Sequence, residues 1–302
     1  MNRIPYLLVL KVPFNVAARG VRGLLRALAL LSGGLDSALA AKVVKAQGVD
    51  VVALHFSSPF IQTSIDSLKE LANELKVPLA IVDFGREHLK VVRSPKHGYG
   101  SGMNPCVDCR VLMLRKAKGY ARKVRASFII TGDVLGQRPA SQRLEALKAI
   151  EREAGLEGKI LRPLSAKLLP ETEMERKGWV DRAALLGLKG RSRKVQLELA
   201  KKYEIRSYQT PSGGCLLTYR EYSAKLRDLI EHKRRITARD LQLLKIGRHF
   251  RFGKNKIIVG RNEDENKLLL ELKHGRDFYF NVPSYGSPIA ILQGPKSKEA
   301  II

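Results

Sequence analysis

Arg26-Ala27-Leu28-Ala29-Leu30-Leu31-Ser32-Gly33-Gly34-Leu35-Asp36-Ser37 is the stretch whose reading decides the fold. Arg26–Leu31 is an apolar run that reads as a strand. It enters a Ser-Gly-Gly turn, and a helical pattern follows over Asp36–Lys45. A helix begun this way points its first N–H groups and the positive end of its dipole at whatever lies in front of it, which favours an anion. Gly33 and Gly34 would let backbone approach a phosphate without a Cβ in the way, and Ser32 and Ser37 add hydroxyls. The same two glycines also describe an ordinary strand-to-helix turn, with Asp36 a first-turn acid. The Walker pattern G-x-x-x-x-G-K-[ST] is absent.

Outward from this loop, strands are expected at Asp50–His55, Leu79–Asp83, Ser127–Thr131 and Lys159–Arg162. Helices are expected at Ser64–Leu75, Cys106–Arg122 and Ser141–Ala154. Apolar strands alternating with amphipathic helices predict an α/β fold, a doubly wound parallel sheet. After Pro211 the rhythm changes. A basic helix (Glu221–His232), a loop, a strand (Lys256–Val259), a helix (Glu263–His274) and strands at Asp277–Val282 and Pro288–Leu292 predict a smaller C-terminal α+β domain. The expected division is 1–24, a leader with four basic and no acidic side chains; 25–218, the nucleotide domain; and 219–302. The leader is expected to lie outside the core, with translation starting near Val21 or Leu24.

The chain has 302 residues and a formal net charge of +26, with 44% hydrophobic and 28% charged residues. That composition excludes disordered and collagenous classes, and no apolar run reaches the length of a membrane span. So large a positive charge predicts a polyanionic partner. Three cysteines, an odd count, argue against a secreted disulfide scaffold and for a reducing, cytoplasmic setting.

Ser32-Gly33-Gly34-Leu35-Asp36-Ser37 resembles the pyrophosphate loop of the PP-loop ATPases. Phe128–Gln137 (FIITGDVLGQ), Ser141-Gln142 and Arg162-Pro163-Leu164 resemble the tRNA 4-thiouridine synthetases. Asn104–Arg110 (NPCVDCR) and Pro211–Thr218 (PSGGCLLT) resemble cysteine motifs of PP-loop tRNA thiolases, including the 2-thiouridine enzymes. The chain is therefore similar to tRNA thiouridine synthetases over about residues 26–218, and Ile246–Leu292 resembles the RNA-binding domain of NFACT proteins. The resemblance implies a HUP-like PP-loop fold and an AMP-forming sulfurtransferase. A uridine carbonyl oxygen would attack the α-phosphorus of ATP, and sulfur would then displace AMP. It assigns Ser32, Gly33, Gly34, Asp36, Ser37, Gly132 and Gln137 to ATP, with Asp36 organising Mg²⁺. Asp36, Asp133, Cys106, Cys109 and Cys215 would be catalytic. The ferredoxin-like and THUMP regions usual in 4-thiouridine enzymes are expected to be absent before Ser32, and a rhodanese-like tail is expected to be absent as well. The mode of tRNA docking and of sulfur delivery, from a separate sulfide or persulfide carrier, is expected to differ accordingly.

Cys106-x-x-Cys109 places two sulfurs one helical turn apart, and Cys215 is the third; Cys215 alone could also be a small core residue. A closed zinc site needs a fourth ligand, for which His97 or Asp108 is available. Three cysteines suit a [4Fe–4S] cluster with one iron open, and the resemblance to cluster-dependent thiolases implies the same. Other thiolases instead carry a persulfide, here on Cys215, resolved by Cys106 or Cys109. Residues 220–256 hold twelve Lys/Arg against four Asp/Glu. There, Lys233, Arg234, Arg235, Arg248 and Arg251 are the candidate RNA contacts, the alternative being a solvated helix face. Arg86–Arg125 is a second basic stretch. Phe250, Phe252 and Tyr279 could stack on bases, with core packing the expected role of each. A homodimer is compatible with the sequence. Two other functions fit parts of it: a PP-loop enzyme acting on another carbonyl, and a non-enzymatic RNA-binding protein with a structural metal.

Overall fold

The computed structural model describes residues 25–209, 214–283 and 286–301; the 1–24 leader and Pro211-Ser212-Gly213 of the last cysteine motif lie outside the described residues. The chain divides into two units. One runs to Gly100 and resumes over Asn104–Cys215; the other comprises Ser101–Met103 and Leu216–Ile302.

In the first unit β1 (Arg26–Leu30), α1 (Leu35–Lys45), β2 (Asp50–Ser57), α2 (Ile65–Leu75), β3 (Leu79–Asp83), α3 (Gly85–Arg93), α4 (Cys106–Lys123), β4 (Phe128–Ile130), α5 (Leu144–Ala154) and β5 (Ile160–Leu161) follow one another. The five strands are parallel, in the order β3-β2-β1-β4-β5. β1 and β2 are apolar without alternation because both sheet faces are covered. Ala27 and Ala29 pack with Leu35, Leu39 and Leu71 on one face, and Leu28 and Leu54 with Val111 and Leu114 on the other. The winding reverses between β1 and β4, so the crevice where open α/β sheets bind ligands lies at the carboxyl ends of those two strands.

α2 shows how locally these elements are specified. Ser64 Oγ accepts from Ser67 N at its start, and Leu68, Leu71, Ala72 and Leu75 bury one face at helical spacing. By contrast α3, which lies outside the helices expected from sequence, buries Gly85, His88 and Val92 on one face. His88 is held between Phe84, stacked at 4.7 Å, and Phe60, and hydrogen-bonds Ser58 Oγ at 2.9 Å. Burial pulls its pKa down to about 4, so it is neutral. Short α6 (Glu173–Arg176) and α7 (Lys194–Lys202) likewise go beyond the elements expected from sequence.

The second unit contains α8 (Arg220–His232), α9 (Ala238–Leu243), β6 (Arg248–Phe252), β7 (Asn255–Val259), α10 (Glu263–Leu272), β8 (Phe278–Phe280), β9 (Ala290–Gln293) and α11 (Lys298–Ile301). Its strands form an antiparallel sheet in the order β6-β7-β9-β8, over a core of Leu243, Ile246, Ile258, Leu269 and Ile291. β6 and α9 replace the expected loop. Phe250, Phe252 and Tyr279 do not pack in a core as expected: they are exposed. Among the described residues no helix is long and apolar enough to cross a membrane.

Candidate active site

The loop after β1 is built from its own side chains. Ser32 Oγ lies 3.1 Å from Ser37 Oγ, and Ser37 Oγ donates to Gly34 O at 2.8 Å. Gly34 caps α1 without a side-chain bond, so the N–H groups of the first turn remain for an anion. Gly33 has φ +89°, and a Cβ there would stand 2.8 Å from Thr63 Cγ2. Gly132, assigned to ATP from sequence, presses on the loop from behind: a Cβ would lie 2.5 Å from Ser37 N. His55 Nδ1 donates to Leu31 O at 2.8 Å and pins the strand end.

Asp36 faces into this crevice. Its Oδ2 accepts from Gln137 Nε2 at 3.0 Å and lies 4.0 Å from Arg193 Nη2. Its Oδ1 is buried with no hydrogen-bond partner among the described residues. A bare, buried carboxylate oxygen suits a hard cation such as Mg²⁺. Sequence reasoning missed Arg193, which is carried in by the segment preceding α7: Lys189 bridges Leu135, and Gly190 N donates to Leu135 O at 2.8 Å.

Asp133, expected to be catalytic, is 3% exposed and fully engaged. Arg110 pairs with its Oδ1, Gln142 Nε2 donates to the same oxygen at 3.0 Å, Thr131 Oγ1 donates to Oδ2 at 2.9 Å, and Arg162 Nε lies 3.5 Å from Oδ2. It therefore ties the cysteine helix α4 to the end of β4 and leaves no oxygen for a substrate. Burial alone would raise its pKa, but Arg110, Arg162, Gln142 and Thr131 overcome that and bring it from 3.8 down to about 2. A folded-state pKa below the unfolded one gives stabilisation that is complete above the unfolded value and is lost as pH falls toward 2. Its size is on the order of 2 kcal/mol. Asp133→Asn should cost about 3–5 kcal/mol at neutral pH by stranding the arginines, and should remove this acid-dependent loss. Urea unfolding of both proteins between pH 5 and 2 checks it; equal pH slopes would rule Asp133 out as the source.

All three cysteines belong to the first unit. Cys106 opens α4 and its Sγ accepts from Asn104 Nδ2 at 3.1 Å; Cys109 Sγ lies 3.8 Å from Met113 Sδ. Burial pushes the Cys109 thiol well above the usual range, and the nearby Cys215 and Cys106 push it further. Gln209 N donates to Gly33 O of the loop after β1 at 2.9 Å, and Cys215 bridges Ile61 just beyond β2. No disulfide joins the three. His97 and Asp108 are engaged with each other, and His97 Nε2 lies 2.9 Å from Glu153 Oε1, so neither is turned to the sulfurs. Among the described residues no three His, Cys, Asp or Glu side chains gather around one metal ion.

The candidate RNA residues separate in the structure. Arg251 forms a two-pronged pair with Asp228, both bonds 2.8 Å, and Lys256 joins the same carboxylate. Arg251 is thus a structural cation, contrary to the expectation. Lys233 is partly neutralised by Asp240 at 2.7 Å, whereas Arg234, Arg235 and Arg248 are exposed.

A doubly wound sheet whose first strand delivers Ser-Gly-Gly-x-Asp-Ser onto a helix N-terminus has the architecture of a PP-loop nucleotide-binding domain. Residues 21–167 match the family described as thiamine biosynthesis protein (ThiI), and residues 247–302 match the NFACT protein RNA binding domain. A probable tRNA sulfurtransferase of Lysinibacillus sphaericus is 36% identical over 146 residues, 46% of this chain and 34% of its own length. One of Thermus thermophilus is 37% identical over 152 residues, 48% of this chain and 35% of its own. The chain thus spans about a third of the length of these curated relatives. A solved 4-thiouridine synthetase–RNA complex with bound ATP is 22% identical, covering 73% of this chain and 52% of that one at a TM-score of 0.45.

Proposed function

We propose that this chain thiolates a uridine of tRNA at the expense of ATP. The observation that carries the reading is the loop after β1, where Asp36 Oδ1 is buried without a partner among the described residues and Gln209 N donates to Gly33 O at 2.9 Å. Sequence similarity to tRNA sulfurtransferases over 46% of the chain supports it. In this reading the uridine oxygen attacks the α-phosphorus of ATP. The first-turn N–H groups of α1 stabilise the departing pyrophosphate, with Ser32 and Ser37 holding the loop in shape. Asp36 Oδ1 is the ligand for Mg²⁺, and Gln137 and Arg193 hold Asp36 in place. Cys106, Cys109 and Cys215 would hold a [4Fe–4S] cluster, which when bound supplies an iron open to sulfide. Sulfur displaces AMP from the activated carbon. A reducing, cytoplasmic setting suits such thiols, and a separate carrier supplies the sulfur.

The test is tRNA-dependent release of AMP and pyrophosphate, joined to nucleoside mass spectrometry of the product. AMP release driven by a small carbonyl compound in place of tRNA would assign the chain another substrate. No AMP release would leave it a binding protein.

The basic run after α8 supplies phosphate contacts in this reading. Arg234→Ala with Arg235→Ala should weaken tRNA binding whatever its sequence and flatten the salt dependence by about one unit of slope for each phosphate no longer neutralised. Lys233→Ala should change it less, because Asp240 already compensates its charge. Binding measured across a salt series decides; an unchanged slope would return the run to a solvated helix face.

A further inference from the structure

The outer face of the second unit's sheet is aromatic. Strand alternation puts Phe250 and Phe252 of β6, and Phe278 and Phe280 of β8, on the face opposite to the core residues Ile258 and Ile291. Phe250 stands across from Ile257, Ile257 from Leu292, and Leu292 from Phe278; Leu292 at 1% exposure and Asn255 at 3%, the latter held by Lys296 and Ser297, are covered, so the open part of the face is its two edge strands. The four rings are 51%, 50%, 47% and 38% exposed. Tyr279 falls in the register of His249, Ile258 and Ile291 and so belongs to the other face. Two pairs of exposed rings on one face, one pair on each edge strand, point to a binding surface.

The charge on this face identifies the occupant. Arg248 shares it by alternation, and Lys296 Nζ stands 4.3 Å from the Phe278 ring centre. No Asp or Glu occupies a strand position on it. The carboxylate paired with this sheet, Asp228, is taken up by Arg251 and Lys256 on the opposite face. A second copy of a chain of net charge +26 would bring like charge to a cationic rim. An RNA strand brings phosphates for the cations and flat π-faces for the rings.

We propose that this face binds unpaired RNA nucleotides, with bases stacked on the phenylalanine rings and Arg248 and Lys296 against the phosphates. The proposal rests on the tRNA reading above and says which part of the RNA is held. A duplex hides its base faces, so only unpaired nucleotides can use such a platform. The two rings of each pair are roughly 7 Å apart along their strand. That is about twice the ~3.4 Å rise of bases along a nucleic-acid strand, so the bases lie splayed, each on its own ring.

The experiment uses the full chain, a labelled single-stranded oligouridylate and a labelled RNA duplex of equal length, titrated over a salt series. Phe250→Leu combined with Phe278→Leu should weaken oligouridylate binding roughly tenfold or more. The salt slope should stay unchanged, because every phosphate keeps its cation, and duplex binding should stay within twofold. Phe250→Tyr combined with Phe278→Tyr, which keeps both rings, should bind as the parent does. Should the leucine variant melt early, ultraviolet crosslinking of the parent chain to oligouridylate decides. Crosslinks on β6 and β8 support the platform, and crosslinks confined elsewhere overturn it. Unchanged oligouridylate binding, equal weakening on the duplex, or a parent dimer that the leucine pair dissociates would each overturn it. If the phenylalanine variants do nothing while Arg234 and Arg235 still set the salt slope, the platform falls and the RNA reading stands. If the parent chain binds neither probe, both fall.

Discussion

Asp36→Ala is expected to reduce tRNA-dependent AMP and pyrophosphate release by at least about a hundredfold, the scale on which a single preorganised electrostatic partner acts. Asp36 carries the one buried carboxylate oxygen of the loop that has no partner among the described residues. It is held in that orientation by Gln137 at 3.0 Å through the other oxygen. In the proposed reading, removing it takes away a hard cation ligand at the end of α1 where pyrophosphate charge would develop. The affinity for tRNA should stay within a few-fold, because a carboxylate offers nothing to a phosphate backbone. Asp36→Asn separates the two possible duties. It keeps the shape and can still meet Gln137, but it lacks the charge, so it should fail nearly as badly if the role is metal binding. Near-normal activity of Asp36→Asn would make the role one of hydrogen bonding. AMP release by Asp36→Ala equal to that of the parent would remove the loop assignment altogether.

The parts of the site legible in the sequence are those specified locally. β1, its glycine turn and α1 are adjacent in the chain, and the buried run, Gly33 at φ +89° and the uncapped helix start follow from residue types within that stretch. Cys106 and Cys109 are legible for the same reason, one turn apart at the start of α4. Arg193 is not, because tertiary pairings such as the Leu135–Lys189 bridge, which no local pattern announces, bring it to Asp36. Asp133 looks catalytic in the sequence because Gly-Asp follows a strand end. Its burial depends on Arg110 and Arg162, which come from a helix and a strand end far away in sequence. β6 shows an opposite kind of failure. Arg248-His249-Phe250-Arg251-Phe252 alternates visibly, but the ordinary rule would turn its aromatics inward. The polar set goes in because partners wait there. His249 Nε2 lies 2.9 Å from Ile246 O, and Asp228 grips Arg251. Burial, with Lys256 and Lys225 nearby, lowers the His249 pKa to about 4, so the ring enters uncharged. Once the inner partners are fixed, the phenylalanines have only the outer face.

Cys106→Ala, Cys109→Ala and Cys215→Ala should each lose tRNA thiolation while keeping most of the AMP release, since in the proposed reading the loop at Ser32–Ser37, and not sulfur, holds ATP. Protein purified without oxygen should be brown and contain about four irons per chain. The three variants should share one phenotype, because a cluster held by three thiolates opens when any of them goes. A buried thiol pushed upward is also a poor nucleophile unless a metal centre strips its proton, which coordination does. Persulfide chemistry predicts a different pattern, with no iron, full activity in air, and tolerance of losing whichever of Cys106 and Cys109 does not resolve the product. Zinc predicts a colourless protein whose fold fails on chelation. With His97 and Asp108 engaged by each other and by Glu153, however, a zinc ion would lack a fourth protein ligand from that quarter. Anaerobic iron and zinc analysis, with thiolation and AMP release assayed before and after air exposure, separates the three. A colourless, iron-free protein that thiolates tRNA in air would defeat the cluster. Loss of AMP release in all three variants would show instead that the cysteines hold the loop in shape.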